Sequence, residues 1–198
     1  NNMADLAASF FLRETYGFPH DKLVYDQDGT PLKVGILDGK LVPPFGEKYV
    51  RKVKDLVLRD DDIILIGYPK TGCHWTYEII NMIIDGNAQH SNHGKMVGFM
   101  ELASVDLLES CAGRRVLNTH LWFENIPKQA TEKKTKIVLT VRNPKDTAVS
   151  YYNHHVSLEY VYGYNGTFKS WFALYMQGQV DYGSYFDYYQ QWDHDIKN

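Results

Sequence analysis

Ile63-Ile64-Leu65-Ile66-Gly67-Tyr68-Pro69-Lys70-Thr71-Gly72-Cys73-His74-Trp75 decides the architecture. Its first four residues are an unbroken aliphatic run, the pattern of a strand buried on both faces of a parallel sheet. A glycine-containing loop follows at once, then a helical stretch over Thr76–Ile84 whose buried side is expected to be Ile79, Ile80, Ile83 and Ile84. Strand, glycine loop and helix make one α/β unit. In such a unit glycine lets the backbone approach a phosphate, and the amides at the helix start point at the anion. Lys70 adds a positive charge beside them. The spacing is not that of the nucleotide loop G-x-x-x-x-G-K-[ST], because the lysine precedes the second glycine.

A second unit lies downstream. Lys136–Val141 reads as another buried strand, Arg142-Asn143-Pro144-Lys145-Asp146 as its turn, and Asp146 as the cap of a helix through Tyr151–His155. Arg115-Val116-Leu117-Asn118-Thr119-His120 is a third, shorter strand that ends on a histidine. Ligands of doubly wound sheets bind at the carboxyl ends of the strands, so the three loops are expected to face one cleft. Arg142 can fork onto a phosphate, and Ser150, one to two turns into the helix, can add a hydroxyl. A neutral His120 can accept a proton. The predicted class is α/β: three layers around a central parallel sheet with a P-loop-like strand-loop-helix.

Around this centre, residues 15–50 carry many Gly and Pro and read as an extended lead-in with short strands and turns. Tyr49–Leu58 is expected to be a short helix with Val50, Val53, Leu56 and Val57 on one side, stopped by Asp60-Asp61-Asp62. Near the end, Tyr182–Tyr185 reads as a turn and Phe186–Trp192 as a helix. The 198 residues fit one domain, 1–198, divided into the lead-in (1–60) and a binding core (61–198).

Composition narrows the partners. A 44% hydrophobic and 23% charged chain has the balance of a soluble globular protein. A net charge of −3 gives no general attraction to nucleic acid or a membrane surface, so any anion must be held locally. Two cysteines, Cys73 and Cys111, make no disulfide framework and fit a reducing compartment. No apolar stretch has membrane-crossing length, and the N-terminus lacks a signal-peptide pattern. The pairs His90/His93 and His154/His155 are read as solvated or pocket residues, and no metal is expected.

Tyr68, Pro69, Lys70, Gly72 and Trp75 form Tyr-Pro-Lys-x-Gly-x-x-Trp, which resembles the 5′-phosphosulfate loop of cytosolic sulfotransferases. Val141 through Tyr152 is similar to that family's 3′-phosphate motif, and Leu117-Asn118-Thr119-His120-Leu121 resembles its catalytic-histidine segment. The likeness continues through Gly166-Thr167-Phe168, Trp171-Phe172, Gly178–Tyr185 and Gln191-Trp192. It implies a cytoplasmic enzyme that moves a sulfuryl group from 3′-phosphoadenosine 5′-phosphosulfate (PAPS) to a hydroxyl or amine of a small organic acceptor, leaving 3′,5′-ADP (PAP). It assigns Lys70 to the bridging oxygen, Thr71, Gly72, Cys73 and His74 to the phosphosulfate, and Trp75 to the adenine. Arg142 and Ser150 fall to the 3′-phosphate, and His120 to the acceptor proton. Phe45, Phe99, Trp122, His154 and Tyr160 fall near acceptor-lining positions.

Three departures qualify the resemblance. Asn118 stands where many members carry a lysine that helps hold the sulfuryl oxygens, so weaker electrostatic stabilisation is expected. Cys73 and His74 replace two threonines; Cys73 is expected to be structural, and His74 can donate a hydrogen bond in their place. The family's later Tyr-Glu-Asp strand, Arg-Lys-Gly motif and dimerisation motif do not occur, so the chain is expected to be the N-terminal part of a longer molecule. A homodimer would rest on that missing motif. Two rival readings stand beside transfer. A P-loop kinase or NTPase needs a Walker lysine and a strand-end acid for Mg²⁺, against the position of Lys70 and the lack of an Asp after Val141. A non-catalytic binder of the bisphosphate nucleotide fits Asn118 and the absent motifs.

Overall fold

The computed structural model describes residues 21–90 and 94–197. His93, one half of the His90/His93 pair, lies outside them. Three strands open the described chain, β1 (Lys22–Tyr25), β2 (Pro31–Leu37) and β3 (Lys40–Val42), as an antiparallel meander. Asp26 builds the first turn: its carboxylate accepts the N–H groups of Asp28 at 2.9 Å and Thr30 at 2.8 Å. Asp38 and Gly39 both have positive φ, as a two-residue hairpin turn between right-twisted strands requires.

The helix expected over Tyr49–Leu58 is two pieces, α1 (Glu47–Val50) and a 3-10 turn at Val53–Asp55. Val50, Val53 and Leu56 are buried as anticipated, but Val57 is 54% exposed. The chain is already extended at Leu56, so burial alternates and Leu58 goes inside in place of Val57. The aspartate run is likewise more than a stop. Asp62 is buried and its carboxylate accepts Arg115 Nε at 2.8 Å and Arg115 Nη2 as well. The same guanidinium donates to the Leu108 and Val57 carbonyls, tying the start of the sheet to its flank.

The central sheet is parallel, with β4 (Ile63–Gly67) between β5 (Val116–Thr119) and β6 (Lys136–Thr140). Its two faces bury different partners. Leu65 and Val116 pack with Cys73, Tyr77 and Ile80 of α2 (Cys73–Asp85). Ile64, Ile66 and Leu117 belong to the larger core, with Tyr151, Trp171, Tyr188 and Trp192. This is the three-layer α/β arrangement read from the sequence. The buried stripe of α2, however, is Cys73, Tyr77, Ile80 and Ile84, at spacings of four, three and four. Ile79 and Ile83 are 51% and 73% exposed, because the helix starts at Cys73 and its phase turns Tyr77 to the sheet.

The remaining helices are α3 (Val105–Ser110), α4 (Gln129–Glu132), α5 (Pro144–Ser157), α6 (Glu159–Tyr162), α7 (Phe168–Met176) and α8 (Tyr185–Lys197). The cap of α5 is Asn143, whose side chain accepts the Lys145 N–H at 2.9 Å; Pro144 begins the helix, and Asp146 sits within its first turn and does not cap it. A buried polar knot joins α5, α6 and α7. Trp171 Nε1–H donates to His155 Nδ1 at 2.9 Å, so His155 carries its proton on Nε2 and donates to Asp181 at 2.6 Å. The Tyr162 hydroxyl donates to the other Asp181 oxygen.

Removing one side of the Asp62–Arg115 pair would strand a buried charge. Asp62→Ala is expected to cost about 3–5 kcal/mol in chemical denaturation. The double variant Asp62→Leu, Arg115→Met should cost clearly less than Asp62→Ala.

Candidate active site

The site begins where β4 ends. A Cβ on Gly67 would lie 2.0 Å from Thr140 Oγ1 and 2.7 Å from Thr71 Oγ1, so this strand end tolerates only glycine. Thr140 Oγ1 fills the space, 3.0 Å from Thr71 Oγ1 and 3.2 Å from Cys73 Sγ. Cys73 is buried, with its thiol against the Thr140 hydroxyl. Tyr68 is fully buried, edge-on to Tyr151, Tyr175, Tyr185 and Tyr188, and its hydroxyl donates to the Gly183 carbonyl at 2.7 Å. Anchored so, the loop turns through two left-handed residues, Lys70 (φ 69°) and Gly72 (φ 104°). Gly72 offers α2 no side-chain cap, and the first turn holds no acidic residue. The leading amides of a 13-residue helix are left open to an anion.

The second motif reaches the first. Arg142 Nη1 donates to the Lys70 carbonyl at 3.1 Å, and the Tyr185 hydroxyl fixes the Arg142 carbonyl. Burial, then the Arg142 charge, lowers the pKa of Lys70. Ser150 is partly buried on α5, and Trp75 stands 80% exposed at the start of α2.

His120 follows β5 directly. Its Nδ1 lies 2.6 Å from the Gly67 carbonyl, which can only accept, so Nδ1 carries the proton and Nε2 the free lone pair. The His120 amide donates to Glu101 Oε1 at 2.6 Å, and the Tyr182 hydroxyl donates to the same oxygen at 3.4 Å. Phe99 and Tyr182 flank the ring edge-on at 5.4 and 5.6 Å. Burial, then the Lys95 charge, holds the His120 pKa well below its ordinary value. His74 is pushed down to about 4 by desolvation, then by Lys95 and Lys70. His154 falls to about 3 through burial and then His155. Burial lifts Glu101 to about 7. Burial first, and neighbouring basic groups second, hold Lys70, His74, His120 and His154 toward their neutral forms. Asn118, fully buried at the end of β5, has neither amide atom hydrogen-bonded.

The expected acceptor residues divide. Phe99 touches His120, and Trp122 connects to it through Tyr182, 6.0 Å away. Phe45 and His154 meet on Tyr162, at 6.5 and 5.8 Å. Tyr160 is 64% exposed, and no ring contact joins it to the others. A cavity of about 470 Å³ lies beside Trp122, Tyr182, Lys40 and Gln191, but neither Lys70, Arg142 nor His120 lines it. Sequence reading missed Lys95, Glu101 and the Gly67 carbonyl. The Glu101 contact is to a backbone amide 19 residues away, which leaves no local signal.

With this geometry in view, the family described as "Sulfotransferase domain" matches residues 60–197, and the chain belongs to it. The chain is 33% identical over 172 residues to Sulfotransferase 6B1 of Danio rerio, covering 85% of this chain and 57% of that protein. It is 32% identical over 152 residues to Sulfotransferase 1B1 of Mus musculus, covering 71% and 50%. Mouse sulfotransferase SULT7A1 complexed with PAP superposes with a TM-score of 0.68 at 30% identity, over 81% of this chain and 57% of that one. Retinol dehydratase in a complex with retinol and PAP shares the fold at 17% identity, with a TM-score of 0.61 over 93% of this chain and 63% of that one. The chain spans about half the length of the curated relatives it matches. Among the described residues no His/Cys/Asp/Glu group is arranged to hold a metal ion, and no helix is long and apolar enough to cross a membrane.

The histidine environment has a measurable pH consequence. The folded pKa of His154, about 3, lies below its ordinary 6.5, so folding favours the neutral ring. The stability this ring contributes is complete above pH 6.5 and is lost as pH falls toward 3. Glu101 acts oppositely: its folded value of about 7 lies above 4.5, so its contribution is complete below 4.5 and is lost as pH rises through 7. Comparing His154→Gln with the unmodified protein isolates the histidine. The melting-temperature advantage of the unmodified protein should shrink between pH 7 and pH 4. An advantage that grew on acidification would mean that the folded ring is charged.

Proposed function

We propose that this chain forms the donor-binding and proton-accepting part of a sulfotransferase that uses PAPS and a small organic hydroxyl or amine acceptor. The observation that carries the reading is the convergence, at three strand ends, of an uncapped helix start, two cations and a histidine with one free nitrogen. PAPS is a substrate here and supplies the sulfuryl group. The α2 amides and Lys70 would hold its 5′-phosphosulfate, with Thr71 shaping the loop and His74 at its rim. Arg142 and Ser150 would hold the 3′-phosphate, and the exposed Trp75 indole offers a flat surface for adenine.

His120 Nε2 would take the acceptor proton while the acceptor oxygen bonds to sulfur. The sulfur–oxygen bond to the 5′-phosphate breaks, and its electron pair leaves with PAP. Lys70 and the loop amides offset the charge that develops on that leaving oxygen. Phe99 and Tyr182 wall the histidine side of the acceptor space, and Phe45, Trp122 and His154 extend it. An aromatic-lined space suits a flat apolar alcohol, in keeping with the retinol bound to retinol dehydratase. Two unpaired cysteines fit residence in the cytoplasm. A non-catalytic PAP-binding role is the second reading, favoured by the neutral Asn118 among the donor residues.

Transfer and binding separate the two readings in the full-length protein. His120→Ala should lower the transfer rate by about 10²–10⁴, with PAP affinity by calorimetry nearly unchanged. Arg142→Ala should weaken PAP binding itself. PAP binding without transfer to any acceptor of a broad hydroxyl and amine panel would establish the second reading instead.

A further inference from the structure

Lys95 belongs to none of the sequence motifs, yet it stands inside the site. It opens a 3-10 turn, Lys95–Gly98, that lies against β5. Gly98 makes the approach possible: a Cβ there would sit 2.3 Å from the Val116 carbonyl. The turn leads into Phe99, which bridges to Asn118, and Met100 N–H donates to the Asn118 carbonyl at 2.9 Å. Lys95 is only 7% exposed. Its Nζ lies 5.2 Å from the Phe99 ring centre, and that ring is the one edge-on to His120. Among the described residues the ammonium has no hydrogen bond or ion pair. A buried ammonium with no close counter-ion is costly unless a ligand anion completes it.

What surrounds Lys95 identifies that anion. Its charge lowers the proton affinity of His74 at the start of α2 and of His120 across the cleft. It therefore lies between the phosphate-binding side and the proton-accepting side. Asn118 bridges to Phe99, the residue whose ring lies under the Lys95 ammonium. Strand alternation puts it on the face of Val116, beneath α2, one step nearer the helix start, and both its amide atoms are unpartnered. Glu101 offsets this charge only in part, because burial raises its carboxyl to about 7.

We propose that Lys95, together with the Asn118 side-chain amide, binds the oxygens of the donor's sulfuryl group and stabilises the charge they carry during transfer. The inference rests on the functional reading above. In the transfer step the acceptor oxygen bonds to sulfur, the bond to the 5′-phosphate oxygen breaks, and the proton goes to His120. Lys95 forms no covalent bond and loses no proton; it supplies charge over the group that moves. The neutral Asn118 at a strand end is then matched by a cation delivered from the adjoining turn.

The test is a pair of binding measurements on the full-length protein. PAPS and PAP differ by the sulfuryl group alone, so their affinity ratio reports on that group. Lys95→Met keeps the length and apolar stem of the side chain and removes its charge. It should leave PAP affinity within about twofold, weaken PAPS affinity about tenfold, and lower kcat about 100-fold. Lys95→Arg should retain most of the PAPS preference. An unchanged PAPS-to-PAP ratio in Lys95→Met would overturn the assignment, as would an equal loss of both ligands. So would an effect confined to the KM of carboxylate-bearing acceptors. If the unmodified protein bound neither nucleotide, the functional reading would fail instead, and the two failures are distinguishable.

Discussion

Everything in the site hangs on the close approach of backbone and side chains at Gly67. One missing Cβ lets Thr140 of the neighbouring strand press against the loop and engage Thr71 and Cys73. The Gly67 carbonyl meets His120, which follows the strand on the other side. The residue thus joins all three parallel strands at their carboxyl ends. An alanine there would collide with the Thr140 hydroxyl at 2.0 Å, and relief would require parting β4 from β6 or lifting the loop. Either movement would shift the open end of α2 relative to the histidine. Sheet packing and site geometry are one constraint at this point.

The second theme is electrostatic frustration. Burial first, and neighbouring basic groups second, lower the proton affinity of Lys70, Lys95, His74, His120 and His154. Folding keeps them together because the Tyr68 cage and the Asp62–Arg115 pair are formed elsewhere and hold the strands regardless. The basic cluster is the part of the fold that a polyanion would stabilise. Such sites trade stability of the free protein for ligand binding.

Much of this was legible in the chain. The run Ile63–Ile66 followed by the glycine loop gave the strand, the loop and the parallel sheet, because burial on both faces leaves an unbroken aliphatic signature. The meander was readable only as short strands and turns in the Gly- and Pro-rich lead-in, since strand pairing is non-local. The phase of α2 was misjudged because four isoleucines outweighed Tyr77 in a hydrophobicity count, although the loop fixes where the helix begins. The α5 cap was placed on Asp146 instead of Asn143, an error of register at an X-Pro step. At the site, Arg142 reaches the Lys70 carbonyl and His120 the Gly67 carbonyl, so the three motifs read from the sequence meet around one loop. Lys95 and Glu101 were invisible because their importance comes from tertiary contacts of an irregular segment with no periodic pattern.

The tautomer of His120 carries a kinetic consequence. With Nδ1–H bound to a backbone carbonyl, the ring has one working nitrogen and no onward partner that could take a proton from the other. A peptide oxygen is far too weak a base to pass a proton on. The imidazole therefore works as a single-ended store. A proton it acquires at Nε2 has to depart through the same mouth by which it arrived, to solvent or to a departing molecule. If His120 is the proton acceptor proposed above, that proton would be taken up and given up at the one nitrogen, on a ring that Phe99 and Tyr182 flank edge-on.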